Sequence, residues 1–118
     1  QDKVIMQEEE KELELKWQRL LYKLKPTFKR KPNLQSILFL IGIQELGQLD
    51  RSFTKEEKED LMHIATCKLL SFEGFFQYTG VDEEGWPHYD RTHIELPRTL
   101  NEQEILLKKQ IINYIQND

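Results

Sequence analysis

The sequence predicts a mainly α protein: a small four-helix domain with a β-hairpin inserted between helices 3 and 4. An apolar run at 37–43 is flanked by segments whose apolar residues recur at helical spacing. Capping patterns mark helix starts, and glycines and prolines mark helix ends. After the third helical segment, aromatic and β-branched residues flank an acidic turn, which is typical of a hairpin.

The size and composition indicate one folded domain. The 118 residues are 32% charged, with a mean hydropathy of −0.68, but the apolar residues are clustered as in a folded chain. We therefore interpret residues 1–118 as a single helical domain, whose first ten residues have few apolar anchors and are expected to fray. The net charge of −4 argues against a general nucleic-acid binder, which would be basic.

The charge distribution and the cysteine content help to predict the cellular compartment of the protein. Residues 1–33 carry nine Lys/Arg against six Asp/Glu, a net of +3, and residues 34–118 carry eight against fifteen, a net of −7. Cys67 is the only cysteine, so no internal disulfide can form and a reducing compartment is suited. The apolar run is too short to cross a membrane, and no signal-peptide pattern is present. We expect a cytoplasmic protein without a membrane partner, although a leader removed by cleavage would leave no trace.

Helix one is predicted over 3–25, with Pro26 ending it and a stiff basic loop following to Pro32. The apolar residues along one face of helix one form a partial heptad. A second copy of the chain could pair with this face, so a homodimer is one hypothesis. The heptad residues are Met6, Leu13, Trp17, Leu20 and Leu24.

Helix two is predicted from Asn33, a favourable N-cap, to Gly47, a favourable C-terminal residue. A helix that is apolar on all sides must be covered by other elements, so we expect helices one, three and four to surround it. Glu45 falls on the face of Leu38 and Ile41 and either emerges at the helix end or is a half-buried carboxylate.

Helix three is predicted to start at Thr54, with Glu57 completing a capping box, and to end at Gly74. Its predicted apolar face comprises Leu61, Met62, Ala65, Leu69 and Phe72. For helix four, Asn101 is the predicted cap with Glu104 as its partner, and Leu100 is expected to contact Ile105.

The hairpin is predicted to pair 75–81 with 86–94 across the turn from Asp82 to Gly85, with Pro87 on an edge strand. Half of the aromatic residues lie between 72 and 89, too many for one strand face to hide. The main functional hypothesis is therefore a non-enzymatic interaction or regulatory domain that binds a protein partner through this surface. The predicted contact residues are Tyr78, Trp86, His88 and Tyr89.

The sequence leaves two other functional hypotheses open. His63 and Cys67, one helical turn apart, could bind a metal if a hairpin histidine, His88 or His93, completes the site, as a metal-binding domain or a metal-dependent enzyme. A nucleic-acid accessory protein would instead use the basic loop 23–31, with Lys25, Lys29, Arg30 and Lys31 as contacts for phosphate or for an acidic partner. No catalytic order is recognisable, so no catalytic residue or cofactor is predicted and a non-enzyme is favoured.

Overall fold

The computed structural model describes the backbone of residues 2–116 and the side chains from Gln7 onward. These residues form four helices and a two-stranded antiparallel sheet between the third and fourth helices, which confirms the predicted fold class. The elements are α1 (Asp2–Phe28), α2 (Leu34–Leu46), α3 (Lys55–Ser71), β1 (Phe76–Val81), β2 (Pro87–Arg91) and α4 (Leu100–Gln116). The Met6 side chain of the predicted heptad lies outside the described side chains.

The chain divides into two compact units. The terminal unit comprises 1–33 and 98–118 and contains α1 and α4, and the central unit comprises 34–97 and contains α2, α3 and the hairpin. The single-domain interpretation and the fraying of the first ten residues stay predictions.

In the central unit, α2 packs closely on α3 at Gly42. A Cβ atom added to Gly42 would lie 2.2 Å from the Leu61 carbonyl oxygen, so only glycine permits this approach of the helices. Ile37, Ile41 and Leu61 are at most 1% exposed and form the centre of this interface. Burial of α2 is graded rather than complete, because Phe39 and other apolar members of the helix are half-buried.

The predicted boundaries of α2 and the predicted start of α3 are confirmed. Gly47 has φ +79° and donates its N–H to the Ile43 carbonyl at 2.9 Å, which ends α2. Glu57 N donates to Thr54 Oγ1 at 3.1 Å, and Thr54 N donates to Glu57 Oε1 at 2.9 Å, so the capping box is complete.

Phe72 was predicted to belong to the buried face of α3, and this prediction is wrong. Phe72 is the C-cap residue and 56% exposed, with the Lys68 ammonium 5.3 Å from its ring centre. Ile64, Cys67 and Leu70 are buried instead, because the hairpin packs on α3 and covers a second side of that helix.

In the terminal unit, α1 and α4 form a helix pair with Trp17 and Ile111 buried. The predicted end of helix one at Pro26 is wrong, since α1 continues to Phe28 with Pro26 inside it. Proline has a helical φ, but it lacks an N–H donor and its ring crowds the Tyr22 carbonyl one turn before it. Because Pro26 is only two residues from the end of α1, this disturbance is confined to the last turn of the helix. The helix ends where Lys29 adopts φ +61°.

The predicted cap of helix four is also wrong. The Thr99 hydroxyl accepts the Glu102 N–H at 3.1 Å, and the Thr99 carbonyl accepts the Gln103 N–H at 3.1 Å, so α4 starts one residue before Asn101. The segment Thr99–Glu102 has the same Thr-x-x-Glu pattern as the start of α3 and competes successfully with Asn101 for the cap. Leu100 is 78% exposed.

Candidate functional site

A β-bulge places the exposed apolar residues of the hairpin on one face. Tyr78 pairs with Tyr89 and Val81 pairs with Pro87, while the register shifts between Tyr78 and Gly80. Without the extra residue, positions 78 and 81 would face opposite sides of the sheet. The bulge therefore aligns Tyr78 and Val81 with Tyr89 and Pro87, because directly paired residues share a face.

Asp82 holds the hairpin turn through both carboxylate oxygens. Its Oδ1 accepts the N–H groups of Glu84 at 2.9 Å and Trp86 at 3.0 Å, and its Oδ2 lies 2.9 Å from His88 Nε2. The His88 hydrogen bond, followed by the Trp86 N–H, lowers the pKa of Asp82 from its ordinary value. Gly85 has φ +89°, as the predicted turn requires.

The strands are shorter than predicted, since β1 starts at Phe76 and β2 ends at Arg91. Thr92 closes the base of the hairpin instead of a longer ladder. Its N–H donates to the Phe75 carbonyl at 3.1 Å, and its hydroxyl donates to the Gly74 carbonyl at 2.7 Å. The hairpin is thus attached rigidly to the end of α3.

A cavity of about 310 Å³ lies between α3 and the hairpin, inside the central unit. Apolar side chains supply part of its wall and titratable side chains the remainder. Its lining comprises Asp60, His63, Ile64 and Cys67 of α3, Asp82 and Trp86 of the turn, and Pro87, His88 and Tyr89 of β2. Three of the four predicted partner-binding residues therefore meet at one site, and the fourth, Tyr78, borders it through Tyr89.

The three predicted metal ligands, His63, Cys67 and His88, all line this cavity. Cys67 Sγ lies 3.5 Å from His63 Nε2, but burial raises the pKa of the thiol to about 11, which disfavours the thiolate that binds metals. Among the described side chains, those of residues 7–116, no group of three or more His, Cys, Asp or Glu is arranged to hold a metal ion.

Tyr89 joins the cavity to the exposed side of the hairpin. Its ring makes an edge-to-face contact with Tyr78, with the centres 5.6 Å apart. Burial, with a smaller contribution from Glu45, raises the pKa of the Tyr89 hydroxyl to about 12. Glu45 itself is a half-buried carboxylate 3.8 Å from the Lys68 ammonium, which decides between the two placements that the sequence allowed.

The predicted contact residues differ in exposure. Tyr78 is 55% exposed and His88 is also exposed, whereas Trp86 and Tyr89 are half-buried. Trp86 is held in the cavity wall, with the Arg51 guanidinium carbon 6.0 Å from its ring centre. Sequence reasoning missed Val81, which is 60% exposed, because the bulge was not predicted. The isolated Gly80 within a strand pattern is the signal that indicates such a bulge.

The predicted basic contacts all lie in the terminal unit and are exposed. Lys25 belongs to the last turns of α1, and Lys29, Arg30 and Lys31 follow that helix. A shallow surface depression of about 360 Å³ is lined by Lys25, Lys29, Pro26 and Tyr22. Tyr22 is 75% exposed and was not among the predicted residues, since its position in α1 carries no sequence signal of exposure.

A larger groove, of about 530 Å³, lies in the terminal unit between α1 and α4. Its lining is aliphatic and charged, including Leu13, Ile105 and Leu106, and contains no aromatic ring or histidine. Its charged groups are five flexible side chains of both signs, three glutamates and two lysines, beside three aliphatic residues. The homodimer hypothesis on this unit stays a prediction.

Comparison of the chain with models of protein families, with curated proteins and with solved structures gave no match. In the part of the chain that the structure describes, no helix combines the length and the apolar character that crossing a bilayer requires.

Proposed function

We propose that the protein is an interaction domain whose central unit binds a protein partner through the hairpin. The binding surface comprises the cavity wall formed by Trp86, His88 and Tyr89 and the exposed side chains of Tyr78 and Val81 beside it. The observation that carries the proposal is the bulge, which brings exposed apolar side chains onto the face that borders the cavity.

Two features of the site support this proposal. Tyr and Trp anchors beside a concave pocket are the residue types and the shape found at binding hot spots. The support is also rigid, because the turn is tied by Asp82 and the base is tied by Thr92, so little side-chain and backbone freedom is lost when a partner binds.

The test is site-specific photo-crosslinking in cells that express the full chain. A benzophenone amino acid replaces Tyr78 in one variant and, as a matched control, Leu15 of the terminal unit in another. The two positions are 55% and 58% exposed, so general accessibility is the same. We expect a discrete crosslinked protein from position 78 and none of the same mass from position 15.

A second substitution, Val81→Ser, is then added to the variant that carries the crosslinker at position 78. Because Val81 shares the proposed contact face, the crosslinked product is expected to decrease severalfold while the domain stays folded. Equal crosslinking from positions 15 and 78, or no product from position 78, would contradict the proposal.

A second candidate function is supported by Tyr22. An exposed aromatic ring that lines the same depression as Lys25 and Lys29 offers the combination that stacks a base and neutralises phosphate in single-stranded nucleic acid. This candidate is the accessory role predicted from the basic loop, with Tyr22 added to it.

The candidate is tested by fluorescence anisotropy with a labelled single-stranded oligonucleotide. Binding should weaken steeply with salt, and Tyr22→Ala should reduce the affinity by about 5- to 100-fold if stacking contributes. Tyr78→Ala is the matched control and should have no effect. Binding that does not depend on salt, or equal losses for both variants, excludes this function.

A further inference from the structure

The chemistry of the cavity in the central unit indicates what kind of side chain it accepts. Its apolar wall, which includes Trp86, Tyr89, Ile64 and Pro87, suits an alkyl or aromatic group. Its charged groups are the carboxylates of Asp60 and Asp82, and no lysine or arginine is among the residues that line it. An anionic ligand would meet two carboxylates, and among the lining residues only His63 and His88 can carry a positive charge.

The two carboxylates are not equivalent. Asp82 is occupied by the backbone of its turn and by His88. Asp60 is exposed, and within the described part of the chain no hydrogen bond or ion pair engages its carboxylate. A bound cation therefore gains an unoccupied charged acceptor at Asp60 without disrupting the hairpin turn.

The Trp86 ring already has a cationic neighbour from its own chain. The Arg51 guanidinium carbon lies 6.0 Å from the ring centre, at the limit of cation–π distance, and Arg51 is held there by Gln48 at 3.1 Å. A cavity lined by aromatic rings and a free carboxylate suits a cation on an alkyl stem, because the stem can contact a ring while the charge reaches the carboxylate.

We infer that this cavity binds a lysine or arginine side chain of the protein partner, and the inference rests on the proposed function. The cavity opens beside the exposed apolar residues Tyr78 and Val81, which the residues flanking that basic side chain would cover. The central unit also carries five Lys/Arg against twelve Asp/Glu, a net charge of −7, so a basic segment is electrostatically complementary to it.

The experiment is an NMR titration of the ¹⁵N-labelled full chain with two blocked tripeptides, Leu-Lys-Leu and Leu-norleucine-Leu. The peptides differ only in the ammonium group. We expect the lysine peptide to shift the Trp86 indole and Ile64 signals in a saturable manner and to bind about 3- to 30-fold more tightly than the norleucine peptide. Equal affinity for both peptides, or no saturable shift, overturns the inference.

Variants locate the charge contact. Asp60→Asn should reduce the preference for the lysine peptide to less than about threefold, whereas Glu83→Gln should leave it unchanged. Glu83 is the matched control because it lies in the acidic turn but does not line the cavity. Equal losses from both variants would mean general attraction to an acidic surface and would overturn the specific site.

Two further measurements distinguish a small-amine ligand from a protein side chain, and failure of the inference from failure of the proposed function. If n-butylamine alone binds as tightly as the lysine peptide, the ligand is a small amine and the assignment to a protein side chain fails. If Asp60→Asn leaves the crosslink at position 78 intact and the lysine peptide does not bind, the inference fails while the proposed function survives. Lysine-peptide binding without any crosslink at position 78 would show that the cavity accepts an alkylammonium group but would contradict the proposed function, and the assignment to a partner's side chain would fail with it.

Discussion

The helices of the central unit and the helices of the terminal unit pack in different ways. In the central unit, two helices approach closely enough that only a glycine fits at position 42, and defined caps begin and end the elements. In the terminal unit, the pair of α1 and α4 relies on larger side chains, with Trp17 and Ile111 buried and Lys108 lying over the Trp17 ring at 5.6 Å. The central unit is therefore expected to tolerate changes in side-chain volume less well.

The units also differ in charge. The terminal unit has twelve Lys/Arg against nine Asp/Glu, a net of +3, against −7 for the central unit. Exposed apolar residues occur in both, including Leu15, Tyr22 and Leu100 in the terminal unit. In the central unit, the exposed apolar residues Tyr78 and Val81 border a cavity with aromatic and acidic groups, whereas the groove between α1 and α4 has no aromatic ring and the depression beside Tyr22 has no acidic group. This difference is why the proposed binding surface is placed there.

The largest expected effect is on the close helix contact. Gly42→Ala would place a Cβ 2.2 Å from a backbone carbonyl, which cannot move as a flexible side chain can, so we expect a loss of about 3 kcal/mol in the free energy of unfolding. Chemical denaturation followed by far-UV circular dichroism measures it.

Gly47→Ala is the control for that change. A Cβ at Gly47 would meet no atom within 4 Å, but its φ of +79° disfavours alanine, so the cost should be only about 1 kcal/mol. If Gly42→Ala costs no more than Gly47→Ala, the close packing of α2 on α3 is contradicted.

The second effect concerns Trp86. Because the ring is half-buried in the cavity wall, Trp86→Ala should lower the free energy of unfolding by about 1–2 kcal/mol and leave unfolding cooperative. Trp17, the other tryptophan, then reports on the terminal unit by fluorescence while circular dichroism reports on the whole chain. If the transitions followed by fluorescence and by circular dichroism coincide, they support the single-domain prediction. If the variant does not fold, Trp86 is a core residue and the argument for its surface role is removed.

The third effect is local and depends on pH. The pKa of Asp82 in the folded protein is below its ordinary value of 3.8, so its contribution to stability is fully present above that value and is lost as the pH falls through the lowered pKa. The protection factor of the Trp86 amide, measured by NMR hydrogen exchange, should therefore be constant from pH 5 to about pH 4 and decrease as the pH falls further.

Asp82→Asn provides the control for the pH effect, because it keeps an oxygen acceptor but has no charge to titrate. Its protection factor at Trp86 should be lower than wild type at pH 5 and should change less toward pH 3. The same pH dependence in both proteins would assign the effect to another group.

The smallest effect is expected in the terminal unit. The Lys108 ammonium is 3.3 Å from a Glu14 carboxylate that is half exposed, and an exposed ion pair of this kind contributes little. Lys108→Met retains an alkyl stem over Trp17, so we expect a change below about 1 kcal/mol, decreasing further in high salt. A larger loss that salt does not reduce would show that this unit depends on a specific charge contact after all.

Local sequence signals determined the elements. The Thr54–Glu57 capping box and the left-handed glycines 47 and 85 have the predicted roles, because each acts over one helical turn or one hairpin turn. The apolar run forms the predicted helix α2, but α3 is the helix described as packing on it. Two local predictions failed. At the start of α4, Thr99 and Asn101 carry similar capping signals, and Thr99 is the cap. In α1, Pro26 lies close enough to the helix end to be tolerated.

The sequence by itself therefore determined the fold class, the order of the elements and the aromatic character of the hairpin. Only the tertiary structure decided which of those aromatics are exposed, that Phe72 points away from the core and that Val81 joins Tyr78 on one face. The physical reason is that exposure depends on which element covers a residue and on a one-residue shift in strand register, and neither is encoded in the spacing of residues along one segment.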